Sequence, residues 1–73
     1  MTLDKVKKGS KVKIITINNK DIKSQAIRMG LYEGAVFVCS EKLLGGPVIL
    51  QNKLQEIAIG RGLALDIVIE GVQ

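Results

Sequence analysis

The residues best suited to chemistry in this sequence are one cysteine and one nearby glutamate, Cys39 and Glu41. They stand two positions apart, so on a strand they would share a face. A thiolate and a carboxylate both bind transition metals such as ferrous iron, but a metal centre usually gathers more ligands, and the sequence contains no histidine. We therefore expect no metal site and keep Cys39 and Glu41 as the only candidates, with a buried structural thiol as the alternative for Cys39.

Residues for catalysis are not grouped in the sequence. The acidic residues are scattered at positions 4, 21, 33, 41, 56, 66 and 70, and no base stands near the cysteine to activate it. Gly45-Gly46-Pro47 lacks the Lys-Ser/Thr pair that follows the glycines of a phosphate-binding loop. These absences predict a protein that is not an enzyme and holds no nucleotide or other intrinsic cofactor.

Positive charge is concentrated in the first 28 residues, which hold eight of the 11 Lys and Arg residues in a chain of net charge +4. One interpretation is a small basic barrel that binds nucleic acid through the lysines near the amino end, which are Lys5, Lys7, Lys8, Lys11 and Lys13. Single-strand binders usually stack bases on aromatic side chains, and only Tyr32 and Phe37 are present. We therefore expect no nucleic-acid partner and favour a solvated basic face.

The length of 73 residues predicts one domain spanning 1–73, and the apolar fraction of 47% is enough for a core. The apolar runs are too short to cross a bilayer, and no secretory signal follows the basic start. A single cysteine is typical of a reducing compartment. These features together predict a cytoplasmic protein.

Hydrophobic patterning predicts a mainly β chain with one helix at about 20–29, between the first and second strands. Strands are expected at 11–17, 35–41, 48–51, 54–59 and 66–70, with a short helical turn at 63–65 before the last strand. In the first strand the alternation breaks between Ile14 and Ile15, so either both faces are covered or a bulge lets Val12 and Ile15 share a side. Five short strands in so few residues favour a small, partly open barrel, because closure removes sheet edges.

The stretch RMGLYEG, residues 28–34, has the composition of a corner between the helix and the second strand. Gly30 suits the position after the helix end that needs positive φ, and Leu31 is expected to fold back towards Ala26. Gly34 supplies a second turn, and Gly45 and Pro47 form the turn that leads into the third strand.

The leading functional hypothesis from these residues is a protein-binding surface. It would combine the outer face of the helix, including Lys23 and Arg28, with the corner at Leu31 and Tyr32 and the loop at Leu43 and Leu44. Core packing is the alternative for each apolar residue. It is favoured for Leu31 and Leu44 and left open for Tyr32 and Leu43.

The order of these motifs resembles the FeoA family, a small cytosolic component of bacterial ferrous iron uptake. Gly9 is similar to the family's glycine near the start of the chain, and Val12 and Ile15 are similar to the Val and Ile of its first strand. Gly30, Leu31 and Gly34 are similar to its "GL..G" corner. The segment 43–47 is similar to its "PLGDP" loop, and 57–59 followed by Ala64 is similar to its "LAL....A" ending. Departures fall at Glu33 and Leu43, where proline is common, at Gly46, where aspartate is usual, and at 60–62, which replaces a charged helix start.

The resemblance covers most of the chain and implies an SH3-like barrel that acts on the membrane transporter FeoB, near its cytosolic GTPase part. At the level of the family it also implies iron or another transition metal as a ligand. The resemblance leaves open whether such a protein stimulates GTP hydrolysis, gates transport or aids assembly, and its oligomeric state.

Overall fold

The computed structural model of the chain describes residues 1–53 and 55–72. A short 3₁₀ helix at Leu3–Lys5 precedes the other elements. The strands are β1 Lys11–Ile17, β2 Val36–Lys42, β3 Val48–Gln51, β4 Glu56–Ile59 and β5 Ile67–Gly71, and the helices are α1 Lys20–Arg28 and α2 Arg61–Ala64.

The predicted elements are all present, with shifts at their ends. Strands β1 and β3 have the predicted bounds, and β2 and β5 lie one residue later than predicted. Strand β4 begins at Glu56, two residues after the predicted start, and Leu54 of that prediction lies outside the described residues. The helical turn predicted at 63–65 is α2, which begins two residues earlier, at Arg61.

The five strands form one antiparallel sheet in the order β4-β3-β2-β1-β5. No ladder joins β4 to β5 in the described part of the chain, so the sheet is open there. The free side of β5 is partly covered by the amino terminus, where the Ile69 amide donates to the Met1 carbonyl at 2.8 Å and Thr2 bridges Val68. A mainly β, partly open fold of the small SH3-like type is therefore confirmed.

One apolar core lies inside the curved sheet, and the strand alternation determines which side chains enter it. In β2, Phe37 and Cys39 are buried while Val36 and Val38 face outwards. The amino-terminal segment, interpreted from the sequence only as a polar start, also supplies Leu3 and Val6 to the core. They are buried because this segment packs against β5 and α2, which are distant in sequence.

The break in the β1 alternation is a bulge, since the register with β5 shifts between Ile14 and Thr16. Val12, Ile14 and Ile17 are buried, and Ile15 is exposed. The bulge alternative is thus right, but its detail is wrong: Val12 and Ile15 do not share a buried side. The extra residue in the bulge is Ile15, which turns outwards and lets Ile17 return to the core.

Candidate partner-binding surfaces

The position of α1 is set by well-formed caps at both ends. At the start, the Asn19 Oδ1 accepts hydrogen bonds from the amides of Asp21 at 2.9 Å and Ile22 at 3.4 Å, which satisfies two free helix donors. Asn19 is therefore the N-terminal cap of α1. It has a φ of +70°, a conformation that asparagine tolerates better than most residues.

The end of α1 is a Schellman motif. Gly30 has a φ of +94°, its amide donates to the Ile27 carbonyl at 3.0 Å, and the Leu31 amide donates to the Ala26 carbonyl at 2.8 Å. This geometry turns the chain back, so that the Leu31 side chain enters the core with 0% of its surface exposed. The core-packing alternative for Leu31 is confirmed, and its side chain is not available to a partner.

An ion pair joins α1 to the corner. The Lys23 Nζ lies 3.1 Å from the Glu33 Oε1 and donates a hydrogen bond to it. The hydrogen bond from Lys23, followed by that from Thr16, lowers the pKa of the Glu33 carboxyl below its ordinary value. Both side chains of the pair are about half exposed, so solvent screens the ion pair and it orients the corner more than it stabilises the fold.

Further exposed side chains, which are not part of the core, lie at the end of α1 and in the corner. Tyr32 is 58% exposed and Ile27 is 54% exposed, and Arg28 is also exposed. Ile27 is one helical turn after Lys23 and therefore lies on the same face of α1. We call this set, Lys23, Ile27, Arg28, Tyr32 and Glu33, the corner surface.

The loop between β2 and β3 exposes two adjacent leucines. Leu44 is 106% exposed and Leu43 is 53% exposed, so the core-packing alternative favoured for Leu44 is wrong. The turn is closed by the Gly46 amide, which donates to the Leu43 carbonyl at 2.9 Å, and Gly45 has a φ of +71°. We call residues 43–46 the loop tip.

The corner surface and the loop tip lie at opposite ends of β2. The corner leads into β2 at Val36, whereas the loop tip follows the end of β2 at Lys42. The seven residues of the strand span about 20 Å. The hypothesis from the sequence combines the helix, the corner and the loop into one binding surface, but in the structure they form two separate surfaces.

A third exposed region is the outer face of the sheet, where lysines alternate with valines. Lys11 pairs with Val38 and Lys13 pairs with Val36 across β1 and β2, and all four are exposed. An open groove lies beside Val36 and Val38 and is bordered by Lys11, Gln51 and Lys53. This region contains two of the lysines considered for nucleic acid, but its exposed side chains include no aromatic residue on which a base could stack.

The two candidate metal ligands each have another partner in the fold. Cys39 is buried, and its Sγ donates to the backbone carbonyl of Glu41 at 3.4 Å. Burial raises the pKa of the Cys39 thiol, which disfavours the thiolate that a metal would need. The Glu41 carboxylate lies 3.3 Å from the Lys8 Nζ. Among the described residues, no three His, Cys, Asp or Glu side chains are grouped as metal ligands would be.

The model of the FeoA domain family matches residues 1–71. The chain belongs to the FeoA domain family. None of the curated proteins matches it.

Two solved structures have a fold similar to that of this chain. The crystal structure of an iron uptake regulatory protein, FeoA, from a monoclinic crystal is 26% identical, with a TM-score of 0.89 over 99% of this chain and 97% of that chain. The NMR structure of a FeoA-like protein from Clostridium acetobutylicum is 25% identical, with a TM-score of 0.87 over 100% of this chain and 87% of that chain. In the described part of this FeoA-domain chain, neither helix has the length and apolar character to span a bilayer.

Sequence reasoning missed two residues that these surfaces of the FeoA domain contain. Ile27 is exposed because Ala26 and the half-buried Ile22 and Met29 already fill the contact with the core. Arg61 comes close to the loop tip only through the fold, because α2 and the loop are distant in sequence. No local sequence pattern indicates that Arg61 lies near the loop tip.

Proposed function

We propose that this protein is a non-catalytic accessory protein of bacterial ferrous iron uptake that binds and regulates the cytosolic GTPase part of the membrane transporter FeoB. The observation that carries the proposal is the FeoA-domain match over residues 1–71, which leaves almost no part of the chain for a different activity. The iron uptake regulatory protein with a TM-score of 0.89 supports the same assignment.

The corner surface is the region that we propose contacts FeoB. Protein interfaces are enriched in tyrosine and arginine, and these residues often contribute most of the binding energy. Tyr32 and Arg28 are both exposed here, with Ile27 beside them as an exposed aliphatic side chain. Among the described residues, Arg28 has no acidic partner within ion-pair distance, so its charge is available to a partner.

The corner is also held in place before any partner binds. The Schellman motif fixes the path of the chain, Leu31 anchors it in the core, and the Lys23–Glu33 ion pair links it to α1. A surface that is already ordered loses little conformational entropy on association. This order before binding favours the corner surface as the main contact.

The test is the affinity of the purified cytosolic GTPase domain of FeoB for this protein, measured by biolayer interferometry. The double variant Tyr32→Ala/Arg28→Glu should weaken binding about thirtyfold or more, because truncation of an interface hot spot costs about 2 kcal/mol or more. The matched control is Lys11→Glu/Val38→Ala, which reverses one cation and truncates one exposed apolar side chain on the outer sheet face. It should bind as the wild type does.

Two results would count against this proposal in different ways. If the wild-type protein does not bind the GTPase domain, the assignment of the partner fails. If the wild type binds and the corner variant binds equally well, the partner stands but the corner surface is the wrong contact. Circular dichroism of each variant establishes that it is folded.

A further inference from the structure

The loop tip projects apolar surface that the fold does not use. Leu44 is fully exposed and Leu43 is about half exposed, and both stand on a turn closed by a backbone hydrogen bond. The turn is tight, since a Cβ added at Gly46 would lie 3.1 Å from the Leu43 Cβ. The tip is therefore a defined protrusion with two aliphatic side chains at its end.

Positive charge flanks this protrusion. Lys42 precedes the loop, and Arg61 of α2 lies beside it, and both residues line the same open cavity of about 200 Å³. Neither cation is in an ion pair with another described residue. The one acidic residue of the cavity is Asp4, whose carboxylate accepts a hydrogen bond from the Thr2 hydroxyl.

We propose that the loop tip, together with Lys42 and Arg61, docks on the anionic surface of a lipid bilayer. Exposed aliphatic side chains gain by entering the boundary between headgroups and acyl chains, and lysine or arginine beside them is attracted to anionic headgroups. The tip protrudes and has no aromatic anchor, whereas a protein interface usually centres on aromatic or arginine side chains that fill pockets. The chain's net charge of +4 also attracts the protein to an anionic bilayer at longer range.

This docking does not depend on FeoB, because it uses the end of β2 opposite to the corner surface. Two leucines and two cations give only weak binding, so the contact is reversible and sensitive to salt. It would hold the protein at the membrane surface while leaving Tyr32 and Arg28 free.

The first experiment is co-sedimentation of the full chain with vesicles. Vesicles of equal parts phosphatidylcholine and phosphatidylglycerol should bind the protein at low salt and release it at high salt, and vesicles of phosphatidylcholine alone should bind it less. The partition coefficient of the variant Leu43→Ser/Leu44→Ser should be lower by about tenfold or more, because two leucine side chains no longer enter the bilayer. Ile27→Ser is the matched control, since Ile27 has the same exposure as Leu43 but lies on the corner surface.

The second experiment measures where the tip lies in the bilayer. The chain contains no tryptophan, so Leu44→Trp provides a single indole that keeps the tip apolar. Its fluorescence should shift to shorter wavelength with the anionic vesicles, and the fluorescence of Ile27→Trp should not shift.

Several outcomes would overturn the proposal. Equal binding of the serine tip variant and the wild type would assign lipid binding to other lysines. Equal shifts of the two tryptophan variants would show that docking does not involve the tip. Absence of vesicle binding, together with self-association that Leu44→Ser abolishes in analytical ultracentrifugation, would assign the tip to a contact between copies of this chain.

Discussion

Leu31 and Leu44 are the same residue type at the two extremes of burial, and truncating each to alanine tests the structure sharply. The Leu31 side chain is fully buried beneath the corner, and the Leu44 side chain is fully exposed on the loop tip. Leu→Ala in a core costs about 2 to 5 kcal/mol of the free energy of unfolding, from lost transfer energy and the cavity left behind. An exposed substitution usually changes it by about 0.5 kcal/mol or less.

The expected loss at Leu31 is large for a chain of this size. At about 0.05 to 0.15 kcal/mol per residue, 73 residues give a free energy of unfolding of about 4 to 11 kcal/mol. With a urea m-value of about 1 kcal/mol/M, Leu31→Ala should lower the unfolding midpoint by about 2 M or more. Both variants keep their backbone hydrogen bonds, including the bond from the residue 31 amide to the Ala26 carbonyl. The difference in stability between the two variants therefore reports the loss of the side chains.

The assay is urea unfolding followed by circular dichroism, with both variants and the wild type measured under the same conditions. A loss below about 1 kcal/mol for Leu31→Ala, or a loss for Leu44→Ala as large as that for Leu31→Ala, would refute the placement of these two side chains. The comparison also separates stability from function, because Leu31 was a candidate for the partner surface.

Three further predictions concern the corner and the core. Lys23→Met should raise the pKa of Glu33 towards its ordinary value in an NMR titration, and an unchanged pKa would contradict the ion pair. In the wild type, the ion pair contributes a small stabilisation that is fully present above the ordinary carboxyl pKa. This stabilisation should be lost as the pH falls through the lowered pKa of Glu33. Gly30→Ala and Gly34→Ala should each destabilise by about 1 to 2 kcal/mol because both glycines have positive φ, and a gain in stability at either would contradict that geometry. The Cys39 thiol, buried and with a raised pKa, should react with a thiol reagent far more slowly in the folded protein than in urea; equal rates would mean that it is exposed.

Local sequence patterns were sufficient for the elements and for the corner. The β-branched run 11–17 and the apolar run 48–51 define β1 and β3 to the residue, because turn-forming residues border both. Gly30 marks the end of α1, since few other residues adopt its conformation without strain. These features depend on residues that are adjacent in sequence, so local sequence patterns are enough to predict them.

Features set by tertiary contacts were not predictable in the same way. Leucine is usually buried, but Leu44 stands on a turn that projects from the end of β2, and nothing packs over it among the described residues. Ile15 faces outwards because β1 must match the register of β5, which is distant in sequence. Leu3 and Val6 enter the core because the amino-terminal segment packs against β5 and α2.

The most direct test of the central claim is an NMR titration of the ¹⁵N-labelled protein with the cytosolic GTPase domain of FeoB. The proposal predicts that shift changes and line broadening concentrate at the end of α1 and in the corner, from Lys23 to Glu33, with the loop tip and the outer sheet face little affected. A spectrum that does not change, or changes confined to the loop tip or the outer sheet face, would contradict it.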